Sequence, residues 1–136
     1  MINLQTLFAR ILSCPMVIET GTTTSTMTTG PTTCNWTYKK WSDGRYELWG
    51  IINSTTYQMT NAYGNAYYRA YTLNLPTGFQ YMPDFVSIQR GQGDGYDLIH
   101  LEVSNANATR IVYYAIDTYS SSRAYQVCVY VTGFYK

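Results

Sequence analysis

The chain carries two kinds of hydrophobic spacing, and they divide it. Near the start, Leu4, Leu7 and Ile11 follow the three-then-four spacing of a helix, and Phe8 and Leu12 widen that stripe. This predicts a short amphipathic helix over residues 2–14, ended by Pro15 because proline cannot continue a helix. At about three turns such a helix is not stable alone. Its stripe is therefore expected to anchor on further copies of the chain or on another protein. Residues 20–33, TGTTTSTMTTGPTT, hold nine threonines, two glycines and a proline with no apolar period, which predicts an extended linker. The expected organisation is an anchoring segment over 1–18, a linker over 19–33 and a body over 34–136.

In the body the period changes to two. Asp43-Gly44, flanked by alternating residues, predicts a hairpin between strands at about Asn35–Trp41 and Arg45–Ile52. On the second strand Tyr46, Leu48 and Ile52 share one face, and Arg45, Glu47 and Trp49 share the other. Further strands are expected at Tyr67–Leu75, Phe85–Gln89, Asp97–Ser104, Arg110–Asp117 and Tyr125–Phe134. The breakers PTG, GQGDG, NANA and SSS separate them. Arg110–Asp117 is apolar on both faces and predicts a strand covered on both sides. Several short strands with regularly spaced turns predict an all-β fold, an antiparallel β-sandwich of jelly-roll-like form.

Composition adds one emphasis: there are 15 Tyr against 4 Phe, and only 12% of residues are charged. Tyrosine buries a ring while its hydroxyl stays wet, so it suits half-exposed sheet faces and contact surfaces. Net charge is +1, and no basic cluster exceeds Lys39-Lys40, so the phosphate footprint of a nucleic-acid binder is missing. No apolar run is long enough for a membrane-spanning helix. The N-terminal residues are not expected to be a secretion signal, because no basic residue precedes the apolar stretch and Arg10 interrupts it.

Candidate chemistry is sparse. His100, the sole histidine, lies in an alternating strand with Glu102 facing the same way, and is expected to be a hydrogen-bonded sheet residue. Asp94 and Asp97 are the nearest carboxylate pair and would be needed, with Glu102, by a polysaccharide hydrolase. Their loop lacks the alternating acidic ligands of a calcium site, and no metal or cofactor is called for. Cys14, Cys34 and Cys128 contain no C-x-x-C pair and are expected to be buried thiols. The triplets at Asn35, Asn53 and Asn107 match a glycan acceptor pattern that threonine-rich chains reach by chance. Tyr63, Tyr67, Tyr68 and Tyr71, with Arg69 among them, form a ring cluster suited to stacking on sugars. The same residues also suit a strand packed against its neighbours.

The stretch NWTYKKWSDGRYELWG resembles an aromatic hairpin motif of tail-fibre and minor structural proteins from phages and prophages of Gram-positive bacteria. Trp36, Tyr38, Lys40, Trp41, Gly44, Glu47, Trp49 and Gly50 occupy the motif positions. The resemblance implies a β-sandwich carried on the virion, on its tail or head, as a homotrimer whose exposed faces touch the host surface. It implies a structural role for the motif itself. Separately, the five-residue spacing of Trp36 and Trp41 on a strand predicts them on opposite faces. The expected function is a non-enzymatic short fibre or distal receptor-binding domain for host surface polysaccharide, joined to other virion proteins through its N-terminus. A capsid head-fibre or decoration protein, and a carboxylate-based polysaccharide hydrolase, are the alternatives.

Overall fold

The structure, a computed structural model, describes residues 3–5, 14–29, 32–93 and 100–135, the side chains of 54–56 and 93 excepted. Nine strands follow one another: β1 (Val17–Thr26), β2 (Thr33–Trp41), β3 (Arg45–Met59), β4 (Asn61–Tyr63), β5 (Ala66–Asn74), β6 (Pro83–Gly93), β7 (His100–Ala106), β8 (Arg110–Asp117) and β9 (Ser121–Phe134). They form two antiparallel sheets, one ordered β1-β2-β3-β9-β6 and the other β4-β5-β8-β7. The fold is all-β, as the alternation required. Of the expected N-terminal helix, Leu7, Phe8, Ile11 and Leu12 lie outside the described residues, and Leu4 is exposed.

The threonine-rich stretch corrects the linker expectation. From Val17 to Thr26 it is an edge strand paired with β2. Threonine is β-branched and favours extended backbone, so main-chain pairing can recruit a segment with little apolar surface to bury. Two side-chain contacts add to that pairing. Trp36 Nε1 donates to Ser25 Oγ at 2.8 Å, and the Tyr38 hydroxyl donates to Glu19 Oε1 at 2.8 Å. Beyond the strand, Met27 is buried and bridges to Leu73 in the other sheet.

The hairpin between β2 and β3 turns through Ser42, Asp43 and Gly44. Gly44 N donates to the Trp41 carbonyl at 3.0 Å, and Gly44 alone of these takes positive φ, at 93°. This is the three-residue loop with glycine in the left-handed region, rather than a two-residue turn with positive φ at both positions. β3 then runs past Ile52, where the alternation predicted its end. A register shift between Ile52 and Thr55 reverses the phase, so that Tyr57 and Met59 point inward after Tyr46, Leu48 and Ile52. That irregularity hides the second half of β3 from any period-two reading.

One core lies between the sheets. From the five-stranded sheet come Trp36, Tyr46, Leu48, Ile52, Tyr57, Tyr125, Val127, Val129 and Val131; from the other come Tyr71, Leu73, Ile111, Tyr113 and Ala115. Four tyrosines lock the sheets together. The Tyr57 and Tyr113 hydroxyls share a hydrogen bond of 2.9 Å, and the Tyr57 ring stacks on Tyr125 at 4.5 Å and meets Tyr71 edge-on at 4.6 Å. Among the cysteines only Cys34 is buried; Cys14 is exposed and Cys128 intermediate, which corrects the expectation of three buried thiols. Burial pushes the Cys34 thiol far above its ordinary range.

Candidate ligand-binding groove

The aromatic hairpin motif divides cleanly between faces. Trp36 is buried in the core opposite Gly50, where an added Cβ would lie 2.6 Å from the Trp36 ring. Tyr38 covers Gly21 and Tyr46 covers Gly133 in the same cross-strand manner. Each glycine supplies the space that its partner's ring fills. Lys40 reaches over the rings of Phe79, Tyr135 and Tyr38 at 5.0, 5.6 and 5.9 Å. On the outer face Glu47 takes hydrogen bonds from Trp41 Nε1 and the Tyr130 hydroxyl, both at 2.9 Å. Trp49 lies beside Tyr130, 37% exposed.

The outer face of the five-stranded sheet is consequently apolar at its centre. Trp49, Ile51, Phe85, Cys128 and Tyr130 line one shallow depression there, with Ser87 and Gln89 at its margin. Thr22, Thr24, Asn35 and Thr37 border it on the β1–β2 side.

The outer face of the four-stranded sheet carries a different site. A groove of about 370 Å³ is lined by Tyr63, Ala66, Tyr68, Glu102, Tyr114 and Ile116. Register builds it. Tyr63 pairs with Ala66 across the β4–β5 hairpin, Tyr68 pairs with Ile116, and Tyr114 pairs with Glu102. Alternation then turns all six side chains outward. The rings stand nearly at right angles: Tyr63 to Tyr68 at 87° and 6.3 Å, Tyr68 to Tyr114 at 80° and 5.5 Å. Tyr63 is 78% exposed and forms a free wall. His100 lies in β7 with Glu102 on the same face, as expected; its Nε2 is 4.0 Å from Glu102 Oε2, and both side chains are exposed.

The structure thus separates the ring cluster of the sequence analysis. Tyr63 and Tyr68 share the groove. Tyr71 is buried, its hydroxyl accepting from Gln58 N at 2.9 Å, and Tyr67 packs against the core. Arg69 donates to Gln58 Oε1 at 2.7 Å and lies over the Tyr71 ring. Tyr114 and Glu102 were not expected as groove residues. The alternation of β8 offered a signal for Tyr114, but Arg110–Asp117 was expected to be covered on both sides. Instead Ile111, Tyr113, Ala115 and Asp117 are buried, while Val112, Tyr114 and Ile116 are half-buried on the outer face. Asp94 and Asp97 lie outside the described residues.

Among the described residues no group of three or more His, Cys, Asp or Glu is placed to hold a metal ion, and no helix is long and apolar enough to cross a membrane. Comparison with protein-family models, curated proteins and solved structures found no match to this chain.

Proposed function

We propose that the chain is a non-enzymatic structural protein of a phage particle, a short fibre or its distal receptor-binding domain. The observation that carries this reading is the pair of outer faces, one an apolar centre and the other an aromatic groove, on a body with few charges. In this reading the five-stranded face, with Trp49, Ile51 and Phe85 at its centre, is covered by identical copies in a trimer. Contiguous exposed apolar patches on soluble proteins commonly mark such contacts. The groove of the other sheet then stays open and meets a polymer of the host surface. Glu102 is the one carboxylate lining it among the described residues, which supports binding rather than two-carboxylate hydrolysis.

The body is a β-sandwich of reduced jelly-roll form. β3 pairs with β9 and β5 with β8, while β6 and β7 lie against β9 and β8. A long antiparallel ribbon wrapped around a core generates this nesting of early strands on late ones.

Electron microscopy of phage particles labelled with antibody to this chain tests the assignment. Label on the tail tip or a fibre is the expected result; label confined to the capsid would move the protein to the head, and unlabelled particles would overturn the reading.

A further inference from the structure

We propose that the groove of the four-stranded sheet recognises a substituted ammonium group, so that the polymer it binds carries cationic alkylammonium or amino substituents. This deepens the receptor-binding reading and rests on it.

The geometry favours a cation over a neutral sugar ring. A sugar lies flat on an exposed ring, so a sugar platform presents broad, level aromatic surface. Here successive rings stand at 87° and 80° to one another, which makes walls rather than a floor. Rings set as walls can turn their negative faces toward a common space, the arrangement that holds alkylammonium ions within about 6 Å of a centroid. Ala66 and Ile116 supply small apolar surface between the walls, suited to N-methyl or methylene groups.

The charge follows the same logic. Glu102 is the only charged side chain lining the groove among the described residues, and it stands across from Tyr114 in the register. Arg69, the nearest cation in sequence, faces the other way, toward Gln58 and Tyr71. His100 Nε2 lies 4.0 Å from Glu102 Oε2, with both side chains exposed. Three rings and one carboxylate around an apolar floor are complementary to a positive charge wrapped in carbon. They offer little to an anion.

The test uses the full chain, with choline as probe and its neutral isostere 3,3-dimethylbutan-1-ol as control. NMR titration should show choline shifting the Tyr63, Tyr68 and Tyr114 ring resonances, with the isostere bound at least about fivefold more weakly. Glu102→Gln, an exposed change, should narrow the preference for choline over the isostere while the rings keep part of it. Tyr63→Phe should keep binding, while Tyr63→Leu weakens it about two- to fivefold. Equal binding of both probes to the wild type, or no ring shift with choline, would overturn the cation assignment. If isolated cell-wall polymer still shifts those rings while choline does not, the receptor-binding reading survives without the cation. If the polymer shifts none of them, that reading falls as well.

Discussion

Two residues show how aromatic side chains set the tolerances of this core. Gly50 lies under the Trp36 ring and the Cys34 sulfur, which an added Cβ would approach to 2.6 and 2.8 Å. Neither neighbour is the loose end of a flexible chain. Gly50→Ala is therefore an overpacking change, expected to lower stability by about 1–3 kcal/mol in urea denaturation. Gly78→Ala meets nothing within 4 Å, although its φ of +89° carries strain of its own, so it tests backbone alone. A smaller loss at Gly50 than at Gly78 would contradict the packing account. Tyr125 poses the opposite case. Its ring stacks on Tyr57, but its buried hydroxyl has no hydrogen-bond partner among the described residues. Removing an unsatisfied buried hydroxyl recovers its desolvation cost, so Tyr125→Phe is expected to raise stability by about 1 kcal/mol and to raise Tm. Tyr57→Phe should do the reverse, because it strands the Tyr113 hydroxyl bonded to it at 2.9 Å. A fall in Tm for Tyr125→Phe would show that the hydroxyl is satisfied after all.

Among the elements, the β8–β9 connection depends on one buried acid. Asp117 accepts from Ser121 Oγ at 2.6 Å, from Arg123 Nε at 2.9 Å and from Tyr119 N at 3.3 Å. Burial pushes its carboxyl upward, but these bonds together with Thr118 outweigh burial and hold it below its ordinary value of 3.8. A depressed folded-state value means that this stabilisation is complete above that ordinary range and is lost as pH falls through the lower folded value. Asp117→Asn should cost about 2 kcal/mol at pH 7 and flatten the acid limb of stability against pH below about 4. An acid limb unchanged from wild type would exclude Asp117 as its source. The contrast between this strand and its neighbours shows what the sequence made legible. Arg110–Asp117 was predicted with its observed bounds, because a continuous β-branched and aromatic run is a strong strand signal. β1 was read as linker because its partner is main chain, and pairing leaves little mark on side-chain pattern. The continuation of β3 was missed because the register shift after Ile52 reverses its phase. The groove was half legible: Tyr63 and Tyr68 come from one hairpin, whereas Tyr114 and Glu102 join them only through strand pairing distant in sequence.

The whole molecule is organised as two sheets with one tyrosine-locked core and two unlike outer faces. The proposed assembly through one face, with the other meeting a polymer, requires that the faces act separately. Phe85, 54% exposed, lines the depression of the five-stranded face and not the groove. Phe85→Glu is expected to convert an oligomer into a folded monomer by light scattering and to leave the groove intact. A wild-type monomer at micromolar concentration would contradict assembly through that face. The account depends most on the groove as the surface that meets the polymer. The direct measurement is the affinity of the purified full chain for isolated cell-wall polymer, compared among wild type, Tyr68→Ala and Met82→Ala. Met82 is 65% exposed and lies outside the groove, so it controls for loss of general surface. With folding verified by circular dichroism, Tyr68→Ala is expected to weaken binding about tenfold, equivalent to about 1.4 kcal/mol, and Met82→Ala to leave it unchanged. Equal affinity for wild type and Tyr68→Ala would contradict the claim that this groove is the binding surface.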